Sequence, residues 1–407
     1  MRPGPRRWLI VVALFLVTYG ISTPLAAYGV FLPVLAEAFG WSRGALSSAL
    51  SLNLLLGGLA GFGVGALADR HGPRLLLAGT VALAGLAFAL VAVVGALWQL
   101  YLFVGVLGGL GMSSFYLLAA ATITRWFDAR RGLALALVLV GFNLGYMTAG
   151  PLSAWLIAGF GWRWAYGLIG GGAGALMTLA ALSVRLPHPG EAPPLRAAAA
   201  GEAPAREGDL TLARALADPR LWCLCACWLL LGGLALMISV HAVPFARDRG
   251  IDLAGASLAL TAYGLGSVSG RLASGAVSDR LGTRATIRVA FVLEALALVV
   301  LLWVPSQPAL LASLALFGAG FAASDTMVVK VIPDVFGLRA LGAIMGVLAL
   351  GWRAGAALFP AAAGFLYDIT GSYTLPFGAA PLAVLASWGL FALGTRPSRR
   401  AVAGWRR

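Results

Sequence analysis

Four ionisable residues interrupt long apolar runs in the second half of the chain: Arg271, Glu294, Asp325 and Arg353. A charge near the centre of a bilayer costs roughly 3 kcal/mol on insertion scales, so such a residue is by default functional. An arginine holds a carboxylate with two parallel N–H donors and stays charged at any working pH. Arg271 and Arg353 therefore predict a binding site for an organic anion.

The two carboxylates leave a choice open. Burial favours the neutral form of a carboxyl group, so Asp325 and Glu294 are candidates for carrying a proton. Asp325 can instead be the fixed ion-pair partner of Arg271, Arg353 or Lys330.

Four further polar side chains are candidates for lining the anion site. Tyr116 and Asn143 fall near the middle of predicted helices, whereas Tyr28 and His241 fall towards helix ends. At a helix end, anchoring in the membrane interface explains a tyrosine equally well. A single histidine there is as readily explained by local hydrogen bonds.

The composition defines the solvent around these residues. Of 407 residues, 60% are apolar and 11% charged, with a mean hydropathy of +0.91, whereas soluble domains are about one quarter charged. The net charge of +14 lies in short runs between apolar stretches, which is typical of loops on the cytoplasmic side of a membrane and not of nucleic-acid binding. The sequence predicts an integral membrane protein.

The hydropathy pattern predicts an all-α membrane protein with twelve transmembrane helices in two pseudo-symmetric six-helix bundles. The predicted spans are 9–33, 45–67, 74–95, 98–124, 132–157, 164–184, 221–244, 257–278, 285–304, 308–332, 340–366 and 374–394. A stretch rich in proline, alanine and charge separates them, so residues 1–186 form one bundle, 187–219 a cytoplasmic linker, and 220–407 the second bundle.

Arginine placement predicts the orientation. The loops opposite the termini carry only Arg43, Arg163, Arg247 and Arg249, so both termini are expected in the cytoplasm of a cell whose inner or plasma membrane holds the chain.

An internal repeat links the halves. GALADRHGPR at 65–74 and GAVSDRLGTR at 275–284 lie 210 positions apart. Both resemble the loop motif of the major facilitator superfamily. That resemblance implies the twelve-helix fold and a gating role for the motif residues Gly65, Asp69, Arg70, Gly72 and Arg74, and Gly275, Asp279, Arg280, Gly282 and Arg284.

Four longer stretches resemble the monocarboxylate transporters and the oxalate–formate antiporters: 28–43, 125–145, 240–251 and 267–282. The resemblance implies that Arg271 binds substrate carboxylate, and that Arg353 occupies the place of a second basic group in the antiporters. Two features depart from the animal monocarboxylate transporters. Ser267 replaces an aspartate one turn before Arg271, and the first helix has no lysine.

Together these features predict a secondary carrier for small organic anions that works by alternating access, with protons as a candidate co-substrate. We expect it to act as a monomer in the bilayer, with no enzyme activity, cofactor, metal or nucleic-acid partner. Monocarboxylates are favoured over an oxalate-type dicarboxylate exchange. Efflux of drugs or metabolites is an alternative, and a non-transporting sensor is the least expected.

Overall fold

Long helices make up almost all of the chain. The computed structural model describes residues 6–127, 131–187, 210–303, 306–337 and 339–396, without the side chains of residues 6, 62, 65, 66, 69–71, 131 and 132. In these residues we number the long helices α1 Arg6–Phe39, α2 Arg43–His71, α3 Pro73–Ala89, α4 Leu97–Trp126, α5 131–160, α6 162–183, α7 Pro219–Asp248, α8 Leu253–Leu281, α9 Thr283–Leu302, α10 Gln307–Phe336, α11 Leu341–Thr370 and α12 Thr374–Gly394.

The prediction of twelve spans is confirmed, although only ten described stretches are long and apolar enough to qualify by length and composition. Two features explain the difference. The helices α5 and α6 run on continuously through Arg131–Ser183, and Gly161, with a φ of 76°, makes the bend between them. The helix α8 does not qualify because it is rich in glycine and serine and contains Arg271.

The predicted linker is only partly described. Residues 188–209 lie outside the described ranges. Beyond them, the Leu210 amide donates to the Phe336 carbonyl at 3.0 Å, and a short helix, Leu212–Leu216, precedes α7. The last residues of the predicted linker are therefore attached to the second half.

The same helix contacts recur in both halves. Gly141 of α5 lies against the carbonyl of Phe15 in α1, and its repeat partner Gly351 of α11 lies against the carbonyl of Cys225 in α7. The next small residues, Gly145 and Gly355, repeat this one turn later. Each pair differs by the same 210 positions. Membrane helices associate through such close backbone approaches, since lipid offers little hydrophobic driving force between them.

Among the described residues, the halves meet towards one end. We call the end where α1 begins and α12 ends the inner end, and the opposite one the outer end. The pairs α2 with α11, α5 with α8 and α1 with α7 pack across the two halves. In the described part of the chain, each side-chain hydrogen bond or ion pair between the halves involves the outer portions of these helices. Within the described ranges, the outer end is therefore closed and the inner end open.

A cluster around Arg43, which we call the outer gate, completes this closure. The Arg43 guanidinium donates two hydrogen bonds to Asp248 of α7, at 2.7 and 2.8 Å. It also lies over the ring of Tyr367, 3.8 Å from the centroid. The Asp368 carboxylate accepts the backbone N–H groups of Arg43 and Gly44, both at 2.8 Å. It thereby satisfies donors at the start of α2 with a charge favourable to the helix dipole.

Helix packing yields the first prediction. Gly270 of α8 touches the carbonyl of Ala319 in α10, so a Cβ there has no room, whereas a Cβ at Gly346 of α11 meets nothing within 4 Å. We expect Gly270→Ala to cost about 1–3 kcal/mol through overpacking and to lower the thermal unfolding midpoint of the detergent-purified protein. Gly346→Ala is the matched control and should leave the midpoint unchanged or slightly raised. Equal midpoints for the two variants would contradict this packing.

The outer gate yields the second prediction. Arg43→Gln removes the paired hydrogen bonds and the cation–π contact, so the outer-closed state should lose about 2 kcal/mol, or roughly 30-fold in population. Spin labels at Phe160 and Ile369, exposed at the outer ends of α5 and α11, report the opening as a longer distance in pulsed electron resonance.

The exposed Arg247, which bonds only the carbonyl of Ile251 among the described residues, supplies the control Arg247→Gln. If Asp248 is the partner that matters, Asp248→Asn should open the gate similarly, and the double variant little more. An unchanged distance distribution in Arg43→Gln would refute the role of the gate.

Candidate functional site

Arg271 and Asp325 form an ion pair between α8 and α10. The Nη2 atom of Arg271 lies 3.4 Å from Oδ2 of Asp325, a long and single contact. The other oxygen, Oδ1, accepts from the indole Nε1 of Trp228 in α7 at 2.8 Å. Of the partners that the sequence left open for Asp325, the structure brings it to Arg271. Lys330 instead donates to Asp279 at 3.3 Å and to Ser278 at 2.8 Å.

Arg271 retains unused hydrogen-bond donors. A guanidinium has five N–H groups, and among the described residues only one of those on Arg271 meets an acidic partner. Its Nε is buried without an acceptor, while the side chain as a whole is 40% exposed. A buried donor without a partner is costly, so this side chain is incomplete without an anion or water.

Arg353 lies against the other half of the protein. Its Cδ and guanidinium pass over Gly57 and Gly58 of α2, where the missing side chains leave room for them. Within the described chain Arg353 has no hydrogen-bond or ion-pair partner, and it is half-buried. The structure therefore holds a second guanidinium at the interface of the halves without neutralising it.

An aromatic wall, a row of stacked and tilted rings, lies near these groups. Tyr116 of α4 is 51% exposed and lies within electrostatic range of Arg271 and Asp325, as does Tyr263 of α8. The rings of this wall follow one another across both halves at centroid distances of 5.3–6.5 Å, in the order Tyr116, Phe115, Phe142, Tyr146, Tyr263 and Phe317. The wall gives an anion bound at Arg271 an apolar surface to rest against.

The other predicted lining residues fall in two places. Asn143 is half-buried in α5 and makes no hydrogen bond to another described residue, so its amide is available. Tyr28 and His241 are fully buried at the outer end. The Tyr28 hydroxyl donates to the Leu46 carbonyl at 2.6 Å, and both nitrogens of His241 bond to protein groups. The structure thus does not bring Tyr28 and His241 together with the two arginines as free ligands.

Glu294 is enclosed within the second half. Its side chain is fully buried between α9 and α10, and its Cγ lies close to Gly320. Neither carboxyl oxygen has a hydrogen-bond partner among the described residues. Burial without a hydrogen-bond donor disfavours the ionised form of this carboxyl group.

The repeated loop motif positions helix ends and lies apart from the arginines. Gly72 and Gly282 both adopt a φ of 80°, a left-handed value that glycine takes at little cost, and they turn the chain between successive helices. The surroundings of Gly65 and the side chains of Asp69 and Arg70 lie outside the described part. Asp279 bonds Lys330, and Arg284 donates to the Thr395 carbonyl at 3.4 Å. The Asp279–Lys330 pair is strongly exposed and contributes little stability.

Sequence reasoning missed three contributors to the site. Trp228 was one apolar residue among many in its helix. Apart from Tyr116, the residues of the aromatic wall resembled ordinary core residues. Arg43 was noticed only as an exception to the charge distribution. That exception was the available signal, because an arginine on the poorly charged side of the membrane needs a partner.

Comparison with known proteins identifies the family of this chain. The model of the Major Facilitator Superfamily matches residues 9–253 and 231–407. Human monocarboxylate transporter 11 is 30% identical over 388 residues, covering 91% of this chain and 79% of that protein. The oxalate:formate antiporter of Oxalobacter formigenes is 28% identical over 298 residues, covering 72% and 68%.

A solved structure shares the fold. The crystal structure of a bacterial homologue of the human lysosomal transporter Spinster, in an inward-facing and unoccupied conformation, aligns with a TM-score of 0.70 at 17% identity. The alignment covers 96% of this chain and 94% of that one. With the family model matching nearly the whole chain, and twelve helices in two repeated halves, the protein is a membrane transporter that belongs to the major facilitator superfamily.

Proposed function

We propose that this transporter carries small monocarboxylates by alternating access, with Arg271 and Arg353 as the groups that bind the carboxylate. One observation carries the proposal: two guanidinium groups lie in the space between the halves with most of their donors unused. Carboxylates match the planar fork of arginine, whereas lipophilic cations, typical of drug efflux, would be repelled. The similarity to the monocarboxylate transporters and to the oxalate:formate antiporter supports the same class.

Charge counting favours a monoanion. Arg271 and Arg353 contribute two positive charges, and Asp325 removes one of them. Glu294 is counted as neutral because its buried oxygens have no donor. The empty site thus has one net positive charge, which a single carboxylate balances.

The long Arg271–Asp325 contact suggests how the substrate enters. A substrate carboxylate can take two N–H groups of Arg271 and displace Asp325, which Trp228 continues to hold from its other oxygen. Asp325 is 16% exposed and can then take a proton from the open space, so that the loaded site carries the same single positive charge as the empty one. In this scheme Asp325 is the primary proton-coupling candidate, and Tyr116 and Asn143 contact the rest of the substrate.

The direction of opening completes the proposal. With both termini in the cytoplasm of a plasma-membrane protein, the open inner end faces the cytoplasm, and the described conformation is inward-open. The two halves, 1–186 and 220–407, would then move as bodies on either side of the site. A monomer contains every residue that this cycle needs.

A dicarboxylate is the second candidate, favoured by one observation. Arg353 has no acidic partner among the described residues, so it is free to hold a second carboxylate beyond the one at Arg271. Oxalate exchange becomes the better fit if Asp325 is protonated before substrate binds, because the site then has two net positive charges.

The third prediction tests the fork of Arg271. Arg271→Lys keeps the charge but replaces the planar donors with a single ammonium group, so uptake of lactate or pyruvate into proteoliposomes should fall at least about tenfold. The matched control is Arg288→Lys, on the exposed side of α9, which should retain uptake. Both variants should be inserted and folded at normal levels. Unaltered lactate kinetics in Arg271→Lys would remove this residue from the site.

The fourth prediction tests the charge count with a panel of mono- and dicarboxylates, with and without a pH gradient. Asp325→Asn raises the net charge of the site to two, so the ratio of oxalate to lactate uptake should rise about tenfold, and lactate uptake should lose its dependence on the gradient. Glu294→Gln imitates a neutral carboxyl and should leave the ratio unchanged. A wild type that prefers dianions would overturn the monocarboxylate assignment, and an unchanged ratio in Asp325→Asn would overturn the charge count.

A further inference from the structure

The outer gate encloses a fully buried imidazole, His241 of α7, which the anion site does not use. Its Nε2 lies 2.8 Å from the Pro360 carbonyl of α11, and its Nδ1 lies 2.8 Å from the Tyr373 hydroxyl before α12. Ser47 of α2 lies 3.3 Å from Nε2. Four segments of the chain thus converge on one titratable ring.

These partners fit a neutral ring. The Pro360 carbonyl can only accept, so Nε2 carries a proton, and the Tyr373 hydroxyl can donate to an unprotonated Nδ1. A second proton on the ring would create a buried cation that no described carboxylate bonds, which is costly.

The charged and titratable groups around the ring are already committed. From α2, Arg43 lies 5.2 Å from the ring centroid of Tyr373 and adds a positive charge nearby. Asp248 of α7 is bonded to Arg43, and Asp368 of α11 is bonded to the start of α2. The phenols around the gate are Tyr28 of α1, Tyr367 of α11 and Tyr373. No described carboxylate bonds the imidazole, so none stabilises its charged form directly.

The shell around His241 is divided between the two halves. Ser47 and Arg43 belong to the first half, whereas His241, Pro360 and Tyr373 belong to the second. Opening the outer end must part Ser47 and Arg43 from the side of the ring that they cover, and this admits water there. From this division we propose that His241 is a proton-binding site gated by the outer end: neutral while that end is closed, and protonated from the outer solution when it opens.

The sign of the linkage follows. A proton that binds only the open state stabilises that state, so acid on the outer side favours opening, and closure expels the proton. The open population should then rise by a factor of about 10 between pH 8.5 and pH 5.5, the range over which a solvent-exposed imidazole takes up its proton. This inference rests on the gate and on alternating access, and holds whichever anion is carried.

The test measures the gate directly. The spin-labelled pair at Phe160 and Ile369, in a chain whose three cysteines are replaced, reports the open fraction at pH 5.5 and pH 8.5. We expect the wild-type chain to show the tenfold change, and His241→Gln, which keeps a neutral donor and acceptor, to show none. His71→Gln and His188→Gln, the other two histidines of the sequence, are controls and should behave as wild type. A pH-independent wild type, or a pH response that survives in His241→Gln, would overturn the proposal.

A second measurement guards against a His241→Gln variant that fails to fold. In the chain with His71→Gln and His188→Gln, one imidazole remains, and its ¹⁵N resonances report its protonation. The ring should stay neutral at pH 5.5 in the closed state, and should titrate near pH 6.5 when Arg43→Gln opens the gate. A charged ring in a closed outer end would refute the proposal, whatever the substrate experiments show.

Discussion

An unpaired charge is costly in the middle of a bilayer, and this constraint organises the molecule. Arg271 and Asp325 satisfy each other only weakly, at 3.4 Å, and the tryptophan behind Asp325 holds it from the other side. Arg353 is left over the glycines of the opposite half. The fold therefore stabilises these charges just enough to persist, while a ligand can still improve on the arrangement. A binding site within a membrane requires charged groups of this kind, which are stable in the empty protein and gain further hydrogen bonds when a ligand binds.

The same constraint places a second polar system far from the first. At the outer end, the Arg43 guanidinium is paired with Asp248 and lies over the ring of Tyr367. These contacts satisfy the guanidinium within the protein, without a ligand. The two polar systems differ in how many of their hydrogen-bond donors have partners. The proposed anion site keeps unused N–H donors on its arginines, whereas the charged groups of the outer gate are paired with one another.

The sequence predicted what depends on local pattern. Helix number, the turns at Gly72 and Gly282, and the two arginines follow from hydropathy, glycine and the cost of burying charge. It could not choose the partner of Asp325, because three cations on different helices were equally plausible along the chain. It also placed His241 among the substrate ligands, whereas its hydrogen bonds reach residues more than a hundred positions away. Such contacts depend on how helices from both halves rotate and dock, which no local pattern encodes.

The 210-residue repeat is a duplication of scaffold without a duplication of chemistry. Moved back by 210 positions, the four ionisable residues of the second half fall on Gly61, Ala84, Phe115 and Asn143. The charged groups proposed to bind the anion therefore lie on the second bundle, and the first bundle has none at the equivalent positions. In the proposed cycle, the anion can remain bound to the arginines of the second bundle while the first bundle moves across the openings at either end. An anion would then cross the membrane without changing its charged ligands.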